Sequence, residues 1–274
     1  MHIARAAGLA GSELVLVDPK SGTWRRTGIG GDGEWLAGGL PGFRTLASEE
    51  RIDHGLLLPP VTPTSFVGIG LNYRAHAAEQ ARALPAEPRL FFKNPRSLAP
   101  PFGELPLHPA STQLDYEGEL GIVIGRTTFD CSRTEAASAI AGWVVVQDFT
   151  LRDLVLPETL PIAKGGPAMA PLGPWFTSVE TVPVDRAGNL VLRCWINGEL
   201  RQEASTSDMH FGPVDLVHYI ARFMPLGPGD VIATGSPGGS GVGFSPPRWL
   251  KAGDVVETGI SELGQLHQRV TRPV

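Results

Sequence analysis

The sequence predicts a β-rich α+β fold, and three observations carry that prediction. Glycine (34) and proline (25) are both plentiful in 274 residues, which favours many short elements joined by defined turns over a helical bundle. Short apolar segments bounded by Gly or Pro recur along the chain. Only three segments carry helical patterning.

Taken in order, residues 1–58 read as a small N-terminal domain, with a strand at 13–18 and a glycine-rich turn from Gly28 to Gly33. A seam containing Pro59, Pro60 and Pro63 closes it, which leaves 59–274 as the main domain. Beyond the seam, strands are expected at 65–70, 89–93, 119–125, 142–147, 190–196 and 231–234. Asn197-Gly198 predicts a tight hairpin between 190–196 and 199–204, because such a turn needs positive φ at two successive residues. Helices are expected at 72–84, 132–141 and 213–224. The second opens with Ser132 and Glu135 at capping-box spacing, the third with Pro213 in its first turn.

Composition narrows the function. A formal net charge of −5 and the lack of any long Lys/Arg run give no electrostatic footprint for nucleic acid. No apolar run reaches the roughly 18 residues of a membrane helix, and the N-terminus lacks a secretory apolar core, so a cytoplasmic protein is expected. Cys131 and Cys194 stand far from any partner at metal-ligand spacing and are read as buried thiols.

The sharpest chemical signal is Asp115-Tyr116-Glu117-Gly118-Glu119-Leu120. In an extended segment, alternation puts Glu117 and Glu119 on one face, with Gly121 and Val123 continuing it inward. Two like charges at the entry to a core stay in water, share a proton or bind a cation. The next apolar strand ends in Asp148, which could converge on the same point. Three carboxylates without nearby His or Cys make an oxygen-only site suited to Mg²⁺ or Mn²⁺, with Ca²⁺ possible and zinc disfavoured. The spacing equally allows a solvated edge strand and a turn at Asp148.

Two further segments offer partners for such a site. If Asn72 caps a helix, His76 and Glu79 lie three residues apart on one surface, the spacing at which a carboxylate orients an imidazole for general-base work. An ordinary exposed pair fits that spacing as well. Lys164 is a lone cation in an apolar, flexible stretch, able to reach a substrate oxygen or simply to sit in water. Thr234 and the amides of Gly235-Ser236-Pro237-Gly238-Gly239 follow a strand and could face a carboxylate.

Together these pieces resemble the fumarylacetoacetate hydrolase family from about Pro63 to Val270. The matching motifs are Gly70-Leu71-Asn72-Tyr73 with His76 and Glu79, Phe92-Lys93, the Asp115 to Leu120 segment, and Gln147-Asp148-Phe149-Thr150-Leu151-Arg152-Asp153. Lys164, Pro171-Leu172-Gly173-Pro174, Asn197-Gly198 and Thr234-Gly235-Ser236-Pro237-Gly238-Gly239 complete them. The resemblance implies a mixed β-sandwich roll with a small N-terminal domain, a homodimer, and Glu117, Glu119 and Asp148 as ligands of Mg²⁺ or Mn²⁺. It implies a lid carrying His76 and Glu79, a role for Lys164 at a substrate oxygen, and substrate contacts from Tyr73, Arg152, Thr234 and Gly235. Gly165-Gly166-Pro167 and Val155 stand where family members commonly carry Ser-Phe-Asp and Gln. The leading expectation is a hydrolase cleaving a carbon–carbon bond of an acylpyruvate-like 2,4-diketo acid. Its alternatives are an isomerase, tautomerase or decarboxylase of a 2-hydroxy-dienoate or β-keto acid, in degradation or natural-product biosynthesis, and a non-catalytic ligand-binding member.

Overall fold

The computed structural model describes residues 1–8, 11–31, 35–36, 49–156 and 160–273. Among them the strands form one large mixed sheet, one five-stranded sheet and a two-stranded pair. The large sheet runs Thr23–Gly30, Gly11–Asp18, His2–Gly8, Ala170–Ser178, Ile140–Gln147, Gly118–Ile124, Val231–Ala233, Phe66–Gly70 and Arg89–Phe92 in spatial order. The N-terminal strands extend this sheet, since Ile3 pairs with Phe176 and Ala4 with Val15. The second sheet orders Glu199–Ser205, Val191–Ile196, Val255–Ile260, Gly264–Thr271 and Phe102–Pro106.

Alternation along the two central strands divides the core. Leu120, Ile122 and Ile124, with Trp143 and Val145, pack against Leu192, Ile260 and Leu266 of the second sheet and against Leu216, Val217 and Ile220 of the Pro213–Ala221 helix. Val123, Val144 and Val146 point the other way, towards Ile3, Leu14, Leu172 and Phe176. Each fully buried side chain of this kind contributes about 1.5–3 kcal/mol. Glycine permits the closest approach between the sheets. A Cβ on Gly118 would lie 2.8 Å from Thr258 Cγ2, so the second sheet reaches the backbone between Glu117 and Glu119.

Several expected elements hold with small shifts. Asn197 and Gly198 both have positive φ and join Val191–Ile196 to Glu199–Ser205. Ser132 and Glu135 form a full capping box on Arg133–Ala139. Other expectations are corrected. Gly28 to Gly30 belong to the Thr23–Gly30 strand and not to a turn, and positions 32 and 33 lie outside the described residues. The helix expected over 72–84 is only Arg74–Glu79. Asn72 does not cap it, because its side chain donates to Phe211 O (3.0 Å) and Thr234 O (2.7 Å) and accepts from Phe211 N (2.9 Å), bracing the helix entry against a distant loop. Cys194 is buried as expected, whereas Cys131 is only partly so.

Candidate active site

Antiparallel pairing assembles the carboxylates. Gly118 pairs with Gln147 and Glu119 with Val146, so the start of one strand lies beside the end of the other. Glu119, Gly121 and Val123 then share a face with Val144, Val146 and Asp148 by simple alternation. Glu117, Glu119 and Asp148 are all buried and each offers an oxygen within 4.8 Å of the others. The solvated edge strand that spacing allowed is thereby excluded.

Cations surround this cluster unevenly. Lys164, at the end of the Leu160–Lys164 helix and not in a loop, donates to Glu117 Oε2 (2.7 Å), Asp148 Oδ2 (2.5 Å) and Thr150 Oγ1 (2.8 Å). Arg152 bridges Asp115 Oδ2 (2.7 Å) and Glu117 Oε1 (2.5 Å). Lys93 is fully buried, donating to Asp148 Oδ1 and to Lys164 O (2.8 Å). Burial favours a neutral Glu117, yet the charges of Arg152 and Lys164 outweigh it and hold that carboxyl well below the usual carboxylate range. Glu119 is the opposite case. Burial, reinforced by the charges of Asp148 and Glu117, pushes its carboxyl well above the ordinary value. Its acceptor bond from Gly235 N (2.8 Å) supplies no full counter-charge.

A buried carboxylate without an ion-pair partner among the described residues, beside two more carboxylates in an oxygen-only set, fits a hard divalent cation. Glu117, Glu119 and Asp148 are the residues that would hold it.

The Arg74–Glu79 helix and the turn after it border the same cavity, a space of about 180 Å³ whose walls include His76, Gln80, Arg82, Phe91, Glu117, Glu119, Arg152 and Lys164. His76 Nδ1 lies 3.0 Å from Glu79 Oε2, and Glu79 Oε1 accepts from Gly239 N (3.2 Å). A carboxylate only accepts, so the ring proton is assigned to Nδ1, and Nε2 accepts from the Gln80 amide at 2.8 Å. Glycine makes room for this pair, since a Cβ on Gly243 would lie 2.8 Å from Glu79 Oε1. Larger clefts of about 880 and 820 Å³ lie elsewhere, the first beside His54 and Trp175, the second beside Glu13 and Arg26. Among the described residues neither holds three carboxylates within 4.8 Å of one another, so chemistry and not size selects the smaller one.

Of the residues singled out from sequence, the fold gathers His76, Glu79, Lys164, Arg152, Glu117, Glu119 and Asp148 at or around this cavity. Tyr73 and Thr234 are fully buried and do not line it, and Gly235 acts through Glu119. Lys93, Asp115, Thr150, Gln80 and Arg82 were not singled out for a role. A signal for Asp115 was present, because it continues the alternation of Glu117 and Glu119 backwards. For Arg82 no local signal exists.

Residues 65–271 match the family described as fumarylacetoacetate (FAA) hydrolase C-terminal. The chain is 37% identical over 217 residues to the mitochondrial oxaloacetate tautomerase FAHD2B of Homo sapiens, covering 78% of this chain and 68% of that protein. Among solved structures it is similar to the fumarylacetoacetate hydrolase of Exiguobacterium antarcticum, with TM-score 0.89, 30% identity and 99% of both chains covered. It is also similar to the 2-hydroxyhepta-2,4-diene-1,7-dioate isomerase of Mycobacterium marinum, with TM-score 0.81, 28% identity, and 99% of this chain and 98% of that one covered.

Proposed function

The chain belongs to the fumarylacetoacetate hydrolase family, and we propose that within it this enzyme is a tautomerase or isomerase that moves a proton between the keto and enol forms of a small 2-oxo acid. The observation that carries this reading is the commitment of Lys164. An ammonium has three protons, and all three are used on Glu117, Asp148 and Thr150. None is left for the oxyanion that attack by water on a distal carbonyl would create. Gly165, Gly166 and Pro167 offer no side-chain donor there, and Val155 offers none in place of a glutamine. Proton transfer makes no such demand. The tautomerase and isomerase among the relatives support the same choice.

In the proposed reaction the ring Nε2 of His76 receives a proton from carbon 3 of the keto form as the C2–C3 double bond forms, and the same imidazolium then returns that proton to the 2-oxo oxygen, which ends as hydroxyl. Atoms balance without a co-reactant. Gln80 vacates Nε2 as substrate enters, and Glu79 holds the Nδ1 proton and stabilises the charged ring. Arg152 and Lys164 keep Glu117 ionised and fixed. A divalent ion at Glu117, Glu119 and Asp148, Mg²⁺ or Mn²⁺ by donor type, would supply positive charge against that building on the 2-oxo oxygen.

The test follows enol absorbance of oxaloacetate and of acylpyruvates with Mg²⁺ and with chelator, in ¹⁸O-labelled water, with carbonyl exchange controlled. Metal-dependent loss of enol without new acids supports the reading. Cleavage into pyruvate and a labelled second acid overturns it in favour of hydrolysis, the activity named for the Exiguobacterium neighbour.

A further inference from the structure

Arg82 lies on the wall of the active-site cavity and is held there by the backbone. The lid helix ends in a two-bond C-terminal turn: Arg82 N donates to Ala77 O (2.9 Å) and Ala81 N to Ala78 O (3.0 Å), with Ala81 at φ 51°. A left-handed alanine costs roughly 1–2 kcal/mol, so this turn is held against local preference. It brings Arg82 to the cavity just beyond His76.

The guanidinium there is under-used. Among the described residues it has no ion pair, and its contact with Gln80 Oε1 is 3.5 Å, at the edge of hydrogen-bond range. The other cations on that wall, Arg152 and Lys164, are bound to internal carboxylates.

We propose that Arg82 receives the second carboxylate of a dicarboxylic 2-oxo acid, so that this site selects diacids over monoacids of similar length. The inference rests on the 2-oxo acid reading above and adds to it the substrate class and the residue that reads it. A planar fork suits a carboxylate in two parallel hydrogen bonds, and the weak Gln80 contact is given up at little cost. Releasing Gln80 from Arg82 also leaves its side chain free to move off His76 Nε2.

The test measures calorimetric dissociation constants of oxaloacetate and of 2-oxobutanoate on the Mg²⁺-loaded protein, for wild type, Arg82→Met and Arg82→Lys. The expected result is a preference for oxaloacetate that shrinks by about 10- to 100-fold in Arg82→Met, the range of a hydrogen-bonded charge pair, and recovers in part in Arg82→Lys. A purely structural role for Arg82 would weaken both ligands together and leave their ratio intact, which overturns the proposal. Wild type that binds both acids equally overturns it too while sparing the 2-oxo acid reading. Wild type that binds neither, with Mg²⁺ shown to be bound, overturns both.

Discussion

Replacing Lys164 by methionine keeps the length of the side chain and removes the charge that joins Glu117 to Asp148. Removing one partner of a buried pair costs about 3–5 kcal/mol, because the other charge is left uncompensated. Here Glu117 keeps Arg152 and Asp148 keeps Lys93, so the loss falls at the lower end, about 3 kcal/mol. At 2–4 °C per kcal/mol that is a fall in Tm of roughly 6–12 °C in the presence of chelator. Saturating Mg²⁺ should then narrow the gap, because the cation brings to Glu117 and Asp148 positive charge that Lys164→Met no longer supplies. Thermal melts of both proteins, with chelator and with Mg²⁺, read this directly. A gap that Mg²⁺ leaves unchanged or widens refutes the reasoning, as does Lys164→Met melting like wild type in chelator.

Other expectations follow from the same geometry. His76→Ala should slow tautomerisation by about 10²–10⁴-fold, the usual share of a general base, while the Mg²⁺-induced rise in Tm persists; unchanged turnover removes His76 from the reaction. Glu119 has a folded-state carboxyl pKa above its ordinary 4.5, so the stability it contributes is complete below that pH and is lost as pH rises through the folded value. In chelator, Glu119→Gln should therefore melt increasingly above wild type as pH climbs from 4.5, and a constant difference would contradict the assignment. With a thiol reagent, partly exposed Cys131 should react in the native protein and Cys194 only after unfolding, since burial pushes the latter up to about 12. Two rapidly reacting native thiols would count against that packing.

Much of the site was legible because its chemistry is locally encoded. The i, i+2 spacing of Glu117 and Glu119 and the placement of Asp148 after an apolar run needed only strand alternation to suggest a shared face. The i, i+3 spacing of His76 and Glu79 needed only one helical turn, which Arg74–Glu79 supplies. The capping box at Ser132 and the hairpin at Asn197-Gly198 are likewise satisfied within a few residues of themselves.

The tertiary structure decided what depends on partners distant in the chain. Asn72 reads as a cap by local preference, but Phe211 and Thr234 offer it buried backbone partners, and the helix starts later in consequence. Lys164 reads as a solvated loop residue until carboxylates 47 and 16 positions away surround it. Arg82 gains its meaning only from the cavity it faces. By itself the sequence determined which side chains stand on a common face, because that follows from backbone periodicity. Which charges meet, and which one is left for a ligand, follows from strand register and packing across more than a hundred residues, and only the folded chain decides it.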